Sequence, residues 1–215
     1  MRYRCVIFDL DGVLVHTDKY HYQAWKVIAD KLSIPFDESI NNKLRGVSRM
    51  ESLEIILSAT NKQFSKDEKT AFADEKNNIY KSLLENLSST SVDDEVIAVL
   101  EGLRAEGIKL AIGSSSKNAG FILDKTEIAH YFEVVVSGLD IAHTKPDPEV
   151  FLKAASQLCA KPSDCLVVED AHAGIEAAYR GGFDCAGIGD AYSSAIATYK
   201  VKSIREVINI AKRGH

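Results

Sequence analysis

Cys5-Val-Ile-Phe-Asp-Leu-Asp-Gly12 decides how this chain is read. Its first four residues form an unbroken apolar run closed by an acid, the pattern of a strand buried on both faces. Similar runs follow at Leu110-Ala-Ile112, Val134-Val-Val136 and Leu166-Val-Val168, with a weaker one at Cys185-Ala-Gly-Ile188. Between them the apolar residues take the helical period, over Asp93 to Glu106, Asn118 to Thr126, Pro148 to Leu158 and Ala171 to Arg180. Gly107 and the pair Gly181-Gly182 stand where those helices should stop. Strand and helix in alternation predict an α/β fold, a doubly wound parallel sheet with helices on both faces.

From about Thr17 to Leu87 the alternation fails, no strand pattern is found, and the helical period dominates. Ser65-Lys-Asp-Glu68 has the form of a capping box opening a long helix, and Pro35 punctuates the end of an earlier one. The segment is therefore expected to be an inserted helical cap domain, residues 17–88, joined by linkers near 15–17 and 88–91 to a core of residues 1–16 and 89–215. A chain of 215 residues accommodates one sizeable core and one small added domain.

A net charge of -5 argues against a broad nucleic-acid or anionic-membrane surface. The apolar run at the amino terminus is too short for a signal peptide or a membrane span, so a cytoplasmic protein is expected. Cys5, Cys159, Cys165 and Cys185 lack metal-binding spacing and are expected to be buried free thiols.

In a doubly wound sheet the residues just beyond the carboxyl ends of the strands share one crevice. Here they are Asp9 and Asp11, Ser114, Lys145 and Glu169-Asp170. An Asp-x-Asp pair alone is as readily a turn signal, and Glu169-Asp170 alone a helix cap. Together they bring four carboxylates to one place, which demands a compensating cation beyond Lys145. An oxygen-rich set of this kind suits Mg²⁺, with Asp9, Asp11, Glu169 and Asp170 as candidate ligands.

These positions resemble the four motifs of the haloacid dehalogenase superfamily: Asp9-Leu-Asp-Gly-Val13, Ser114, Lys145-Pro-Asp-Pro148 and Val168-Glu-Asp170. The resemblance implies Mg²⁺-dependent phosphoryl transfer through an aspartyl-phosphate, with Asp9 as nucleophile, Asp11 as general acid and base, and Ser114 and Lys145 holding the transferring phosphoryl group. Tyr20-His-Tyr-Gln-Ala-Trp25, Leu44-Arg-Gly-Val-Ser-Arg49 with Ser52, Lys76-Asn-Asn with Tyr80, and Ser114-Ser-Ser-Lys-Asn118 are similar to the β-phosphoglucomutase branch of that superfamily. It implies that Arg49, Ser116, Lys117 and Asn118 grip a distal phosphate, and that Gly46, Val47 and Lys76 contact a sugar. It further implies that His21 couples the cap to Asp11, with Ser52, Ser115 and Trp25 in the same substrate-binding set. Trp25 reads more readily as core than as site.

The expectation is a phosphomutase interconverting β-glucose 1-phosphate and glucose 6-phosphate through the 1,6-bisphosphate, acting as a monomer on a small phosphorylated sugar. A sugar-phosphate phosphatase on the same scaffold is the alternative, and a non-catalytic sugar-phosphate-binding module is a third reading. His16, Ser115 and His143-Thr144 depart from the family pattern without removing a catalytic group.

Overall fold

The apolar run at the amino terminus becomes β1 (Cys5–Phe8), with all four side chains buried. In the computed structural model, which describes residues 2–213, β1 lies between two parallel neighbours. On one side is β2 (Lys109–Gly113), in register from Cys5 opposite Lys109 to Phe8 opposite Ile112. On the other is β4 (Cys165–Glu169), from Cys5 opposite Cys165 to Phe8 opposite Val168. β3 (Val134–Val136), β5 (Asp184–Gly187) and β6 (Tyr199–Lys200) complete a parallel sheet in the order β3-β2-β1-β4-β5-β6. The order reverses between β1 and β4, which is where such sheets open a crevice at their carboxyl ends.

Successive side chains of a strand face opposite ways, so Ile7, Ala111 and Val167 share one face. They pack with Val150, Phe151, Ala154, Ile175 and Ala178 of α7 (Glu149–Gln157) and α8 (His172–Arg180). The other sheet helices are α5 (Asp94–Ala105), α6 (Ala119–Thr126) and α9 (Glu206–Arg213), and α5 packs on β2 and α9. Gly107 ends α5 with φ +73° and Gly182 ends α8 with φ +75°, each followed by an amide that bonds back into the last turn.

The helical unit runs from Thr17 to Asn86; the other compact unit comprises the residues up to His16 and from Leu87 on. The helical unit holds α1 (Asp18–Leu32), α2 (Glu38–Asn42), α3 (Arg49–Leu57) and α4 (Lys66–Leu84). Trp25, Ile28, Ile34, Phe36, Leu53, Ile56 and Ala73 form a hydrophobic core of its own. The Ser65–Glu68 box closes in both directions, the Ser65 amide donating to Glu68 Oε2 at 2.7 Å and the Glu68 amide to Ser65 Oγ at 3.3 Å. A second box, Ser48 with Glu51, opens α3. α1 stops at a left-handed Ser33, φ +59°, two residues before Pro35.

Two expectations need correction. Cys159 is exposed, because it follows the end of α7 in a left-handed conformation with φ +55°, whereas Cys5, Cys165 and Cys185 are buried. β6 was not expected, since two residues at a sheet edge carry no readable period. Among the described residues, no helix is long and apolar enough to cross a membrane.

Candidate active site

β1 ends at Phe8, and the next amide, Asp9 N, still bonds across to Val168 O at 3.0 Å. This aims the Asp9 side chain beyond the strand ends beside Glu169 and Asp170, which close β4. Lys145 comes from the connection between β3 and α7 and is almost wholly buried. Its Nζ donates to Asp9 Oδ1 and to Glu169 Oε1, both at 2.5 Å. Glu169 Oε2 accepts the Ala171 amide at 2.9 Å, so both oxygens of this carboxylate have partners. Oxygens of Asp9, Glu169 and Asp170 lie within 4.8 Å of one another.

The carboxylate of Asp11, the fourth expected ligand, is not among these three. Asp11 lies past the end of β1, where side chains no longer alternate as on a strand. After Asp9 the chain winds into a turn, with the Leu14 and Val15 amides both donating to Leu10 O and Gly12 at φ +92°. The charge of Asp11 nevertheless acts on Asp9. Burial, with Glu169 and Asp11 nearby, pushes the Asp9 carboxyl up to about 8 against the opposing pull of Lys145. Burial alone would weaken the charge on Lys145, but the two carboxylates outweigh it and hold the ammonium above its ordinary value.

Ser114 follows β2 and is buried, with its amide on Val136 O. Its Oγ accepts the Ser116 amide at 3.0 Å, and Ser116 Oγ in turn accepts the Asn118 amide at 3.2 Å. Accepting a bond leaves each hydroxyl its own proton to donate. Ser115 Oγ lies 3.5 Å from the Lys145 amide, which ties this loop to the lysine. Lys117 is exposed at the entrance to α6 and Asn118 is nearly buried.

In the helical unit, α1 and α4 bring together His21, Trp25, Lys76 and Tyr80. Lys76 is buried, and its Nζ donates to His21 Nδ1 at 2.9 Å. Arg49, at the first turn of α3, has Nη1 3.8 Å from Asp74 Oδ1 of α4. Ser52 is buried one turn further on, while Gly46, with φ +75°, and Val47 form the turn that precedes the Ser48 cap. Burial and then the charges of Lys76 and Arg49 hold His21 well below the usual imidazole range, so it is neutral. A second grouping, His143, Asp147 and Glu149, is accounted for locally, because Glu149 accepts the Ala142 and His143 amides and pairs with Lys153.

The model of the haloacid dehalogenase-like hydrolases matches residues 3–182. The chain belongs to that family. It is 40% identical over 188 residues to the β-phosphoglucomutase of Bacillus subtilis, covering 86% of this chain and 83% of that one. It is 30% identical over 182 residues to a phosphorylated carbohydrates phosphatase of Thermotoga maritima, covering 83% and 82%. Among solved structures, β-phosphoglucomutase from Clostridium difficile superposes with a TM-score of 0.89 at 37% identity, covering 95% of this chain and 93% of the other.

In this haloacid dehalogenase-like chain three glycines shape the site, none of which was expected as a site residue from the sequence. A Cβ on Gly12 would stand 2.3 Å from Asp170 Oδ2, one on Gly174 1.8 Å from Glu169 Oε1, and one on Gly138 2.3 Å from the Ser115 carbonyl oxygen. Gly12 falls within the first motif, but Gly138 and Gly174 lie away from every quoted one. The three buried acids supply only oxygen donors, and the missing Cβ of Gly12 leaves Asp170 its position. This donor chemistry fits a hard divalent cation held by Asp9 and Asp170, with Glu169 beside it.

Proposed function

We propose that this protein is a Mg²⁺-dependent β-phosphoglucomutase, interconverting β-glucose 1-phosphate and glucose 6-phosphate through phospho-Asp9 and the 1,6-bisphosphate. The observation that carries phosphoryl transfer is the buried Asp9–Lys145–Glu169 arrangement, with Lys145 Nζ 2.5 Å from each carboxylate. The identity to the Bacillus subtilis β-phosphoglucomutase supports the mutase assignment.

Asp9 attacks phosphorus through one carboxylate oxygen, and the bond to the sugar oxygen breaks. Asp11 gives that oxygen a proton and later takes one from the hydroxyl that attacks phospho-Asp9. Lys145 stays protonated between two carboxylates and lowers the repulsion between an anionic nucleophile and an anionic phosphoryl group. Ser114 donates its hydroxyl proton to a phosphoryl oxygen as charge grows there. Asp9 and Asp170 would hold Mg²⁺, which would supply further charge neutralisation for the transfer.

In this reading Arg49 with Ser116, Lys117 and Asn118 holds the non-reacting phosphate, since a guanidinium binds phosphate through two parallel donors. Lys76, Gly46 and Val47 contact the sugar. Ser52, Ser115 and Trp25 belong to the same substrate-binding set. His21 serves as a neutral partner linking this set to Asp11. The sugar hydroxyl that attacks phospho-Asp9 must outcompete water, which requires binding energy from these contacts.

The test is an assay with β-glucose 1-phosphate, Mg²⁺ and a trace of the bisphosphate as primer. Glucose 6-phosphate formation is expected. Release of inorganic phosphate without glucose 6-phosphate would instead establish the phosphatase reading, which the identity to the Thermotoga maritima phosphatase keeps in view.

A further inference from the structure

α1 and α4 face each other with two pairs of residues spaced one helical turn apart, His21 and Trp25 on one helix, Lys76 and Tyr80 on the other. The Lys76 ammonium stands 4.5 Å from the centroid of the Tyr80 ring and 5.0 Å from that of the Trp25 indole. Tyr80 also lies against His21, with ring centroids 4.1 Å apart and planes inclined by 31°. Tyr80 and Trp25 are both buried. One tyrosine ring therefore lies against both polar groups of the pair.

We propose that Tyr80 is a positioning residue: its ring, with Trp25, seats the Lys76 ammonium against His21 Nδ1 so that Lys76 meets the sugar in one fixed orientation. This rests on the proposed reading in which Lys76 contacts the sugar. Nothing in the family motifs quoted for the reaction gives Tyr80 a role of its own.

Two physical effects combine in the seat. An ammonium over an aromatic face is attracted by the ring quadrupole, more strongly where water is excluded. A lysine side chain in solution samples many rotamers, and holding its four-carbon stem in advance removes that ordering cost from substrate binding. The seat also sets the imidazole. Because Lys76 can only donate, Nδ1 of His21 accepts, and the ring proton resides on Nε2. Tyr80 thus governs the direction of the Lys76 ammonium and the tautomer of His21 with a single flat surface.

The test is a double-mutant cycle on the full chain with Mg²⁺, read on β-glucose 1-phosphate. Tyr80→Leu should raise KM about tenfold, the scale of a lost desolvated cation–ring contact, with a smaller change in kcat. Tyr80→Phe keeps the face and should stay within about twofold of the parent. In a Lys76→Met background, Tyr80→Leu should change KM by less than about twofold, because the group it positions is gone. An equal KM rise with and without Lys76 overturns the proposal, since a merely structural ring would act in both backgrounds.

Should Tyr80→Leu fail to fold, the parent protein itself provides the reading. The ε-methylene protons of Lys76 should be shifted upfield by the two rings in the proton NMR spectrum, and ordinary positions overturn the proposal. The outcome is separable from the mutase assignment. If the parent releases phosphate instead of forming glucose 6-phosphate, the mutase reading fails, while the same cycle read on the KM for phosphate release still decides the role of Tyr80.

Discussion

At Gly174 the lack of a side chain is a requirement of the site rather than of the helix. In a helix interior, glycine to alanine ordinarily gains roughly 1 kcal/mol, and less is at stake for Gly174 in the first turn of α8. Here the added methyl would stand 1.8 Å from Glu169 Oε1, the oxygen that accepts from Lys145. Overpacking of this kind costs about 1–3 kcal/mol, which reverses the sign. Gly174→Ala should therefore lower the melting temperature, and it should reduce kcat more than KM, because Glu169 moves and Lys145 loses one of its two anchors. An unchanged or raised melting temperature would show that Glu169 has room to yield. No residue pattern marks Gly174, since the atom it must avoid, on Glu169 at the end of β4 just before it in the chain, comes close only once the turn into α8 has folded. Asp9, Lys145 and Asp170 were legible because each closes or follows an apolar run. Strand alternation says less about Asp11, because the ladder ends close to Phe8 and a turn begins there.

At the scale of an element, α7 anchors the connection that carries Lys145. Glu149, in its first turn, pairs with Lys153 and accepts the Ala142 and His143 amides, and these bonds bring its carboxyl down to about 2. A carboxyl whose folded value is depressed contributes stability above its unfolded value, near 4.3 for glutamate, and loses it as pH falls through the folded one. Glu149→Gln should thus lower the melting temperature at pH 7, and the gap from the parent should narrow as pH is taken from about 5 to about 2. A gap that stays constant over that range would assign the effect to packing. The helices themselves were readable from their period and from Ser65 to Glu68, but the Ser48–Glu51 box was not noticed, because α3 is short and its apolar residues do not make a clear stripe. β6 escaped for a related reason: what pairs it to β5 is its place at the sheet edge, not its composition.

Taken as a whole molecule, the chain concentrates anionic groups at one end of its sheet, where Asp9, Glu169 and Asp170 are buried together around Lys145. A ligand that binds only the folded form stabilises it by mass action, by about 2.7 kcal/mol at a hundredfold excess over Kd. Adding MgCl₂ should accordingly raise the melting temperature in a saturable way, and Asp170→Asn should abolish most of that rise while leaving a folded protein. An equal rise in the variant would place the cation elsewhere. The parallel sheet and the helical insertion could be foreseen from the alternation of strand and helix and its failure after Thr17. The contacts between side chains far apart in sequence could not, and they are what turns a set of motifs into a site. The cysteines offer a further handle on the whole fold. Cys159 is exposed, while Cys5 and Cys165 lie in register on the central strands and Cys185 on the next. An alkylating reagent should therefore label one thiol at once and the other three only when the sheet opens, so that counting adducts by mass gives a clock for global unfolding in which the first label marks zero time.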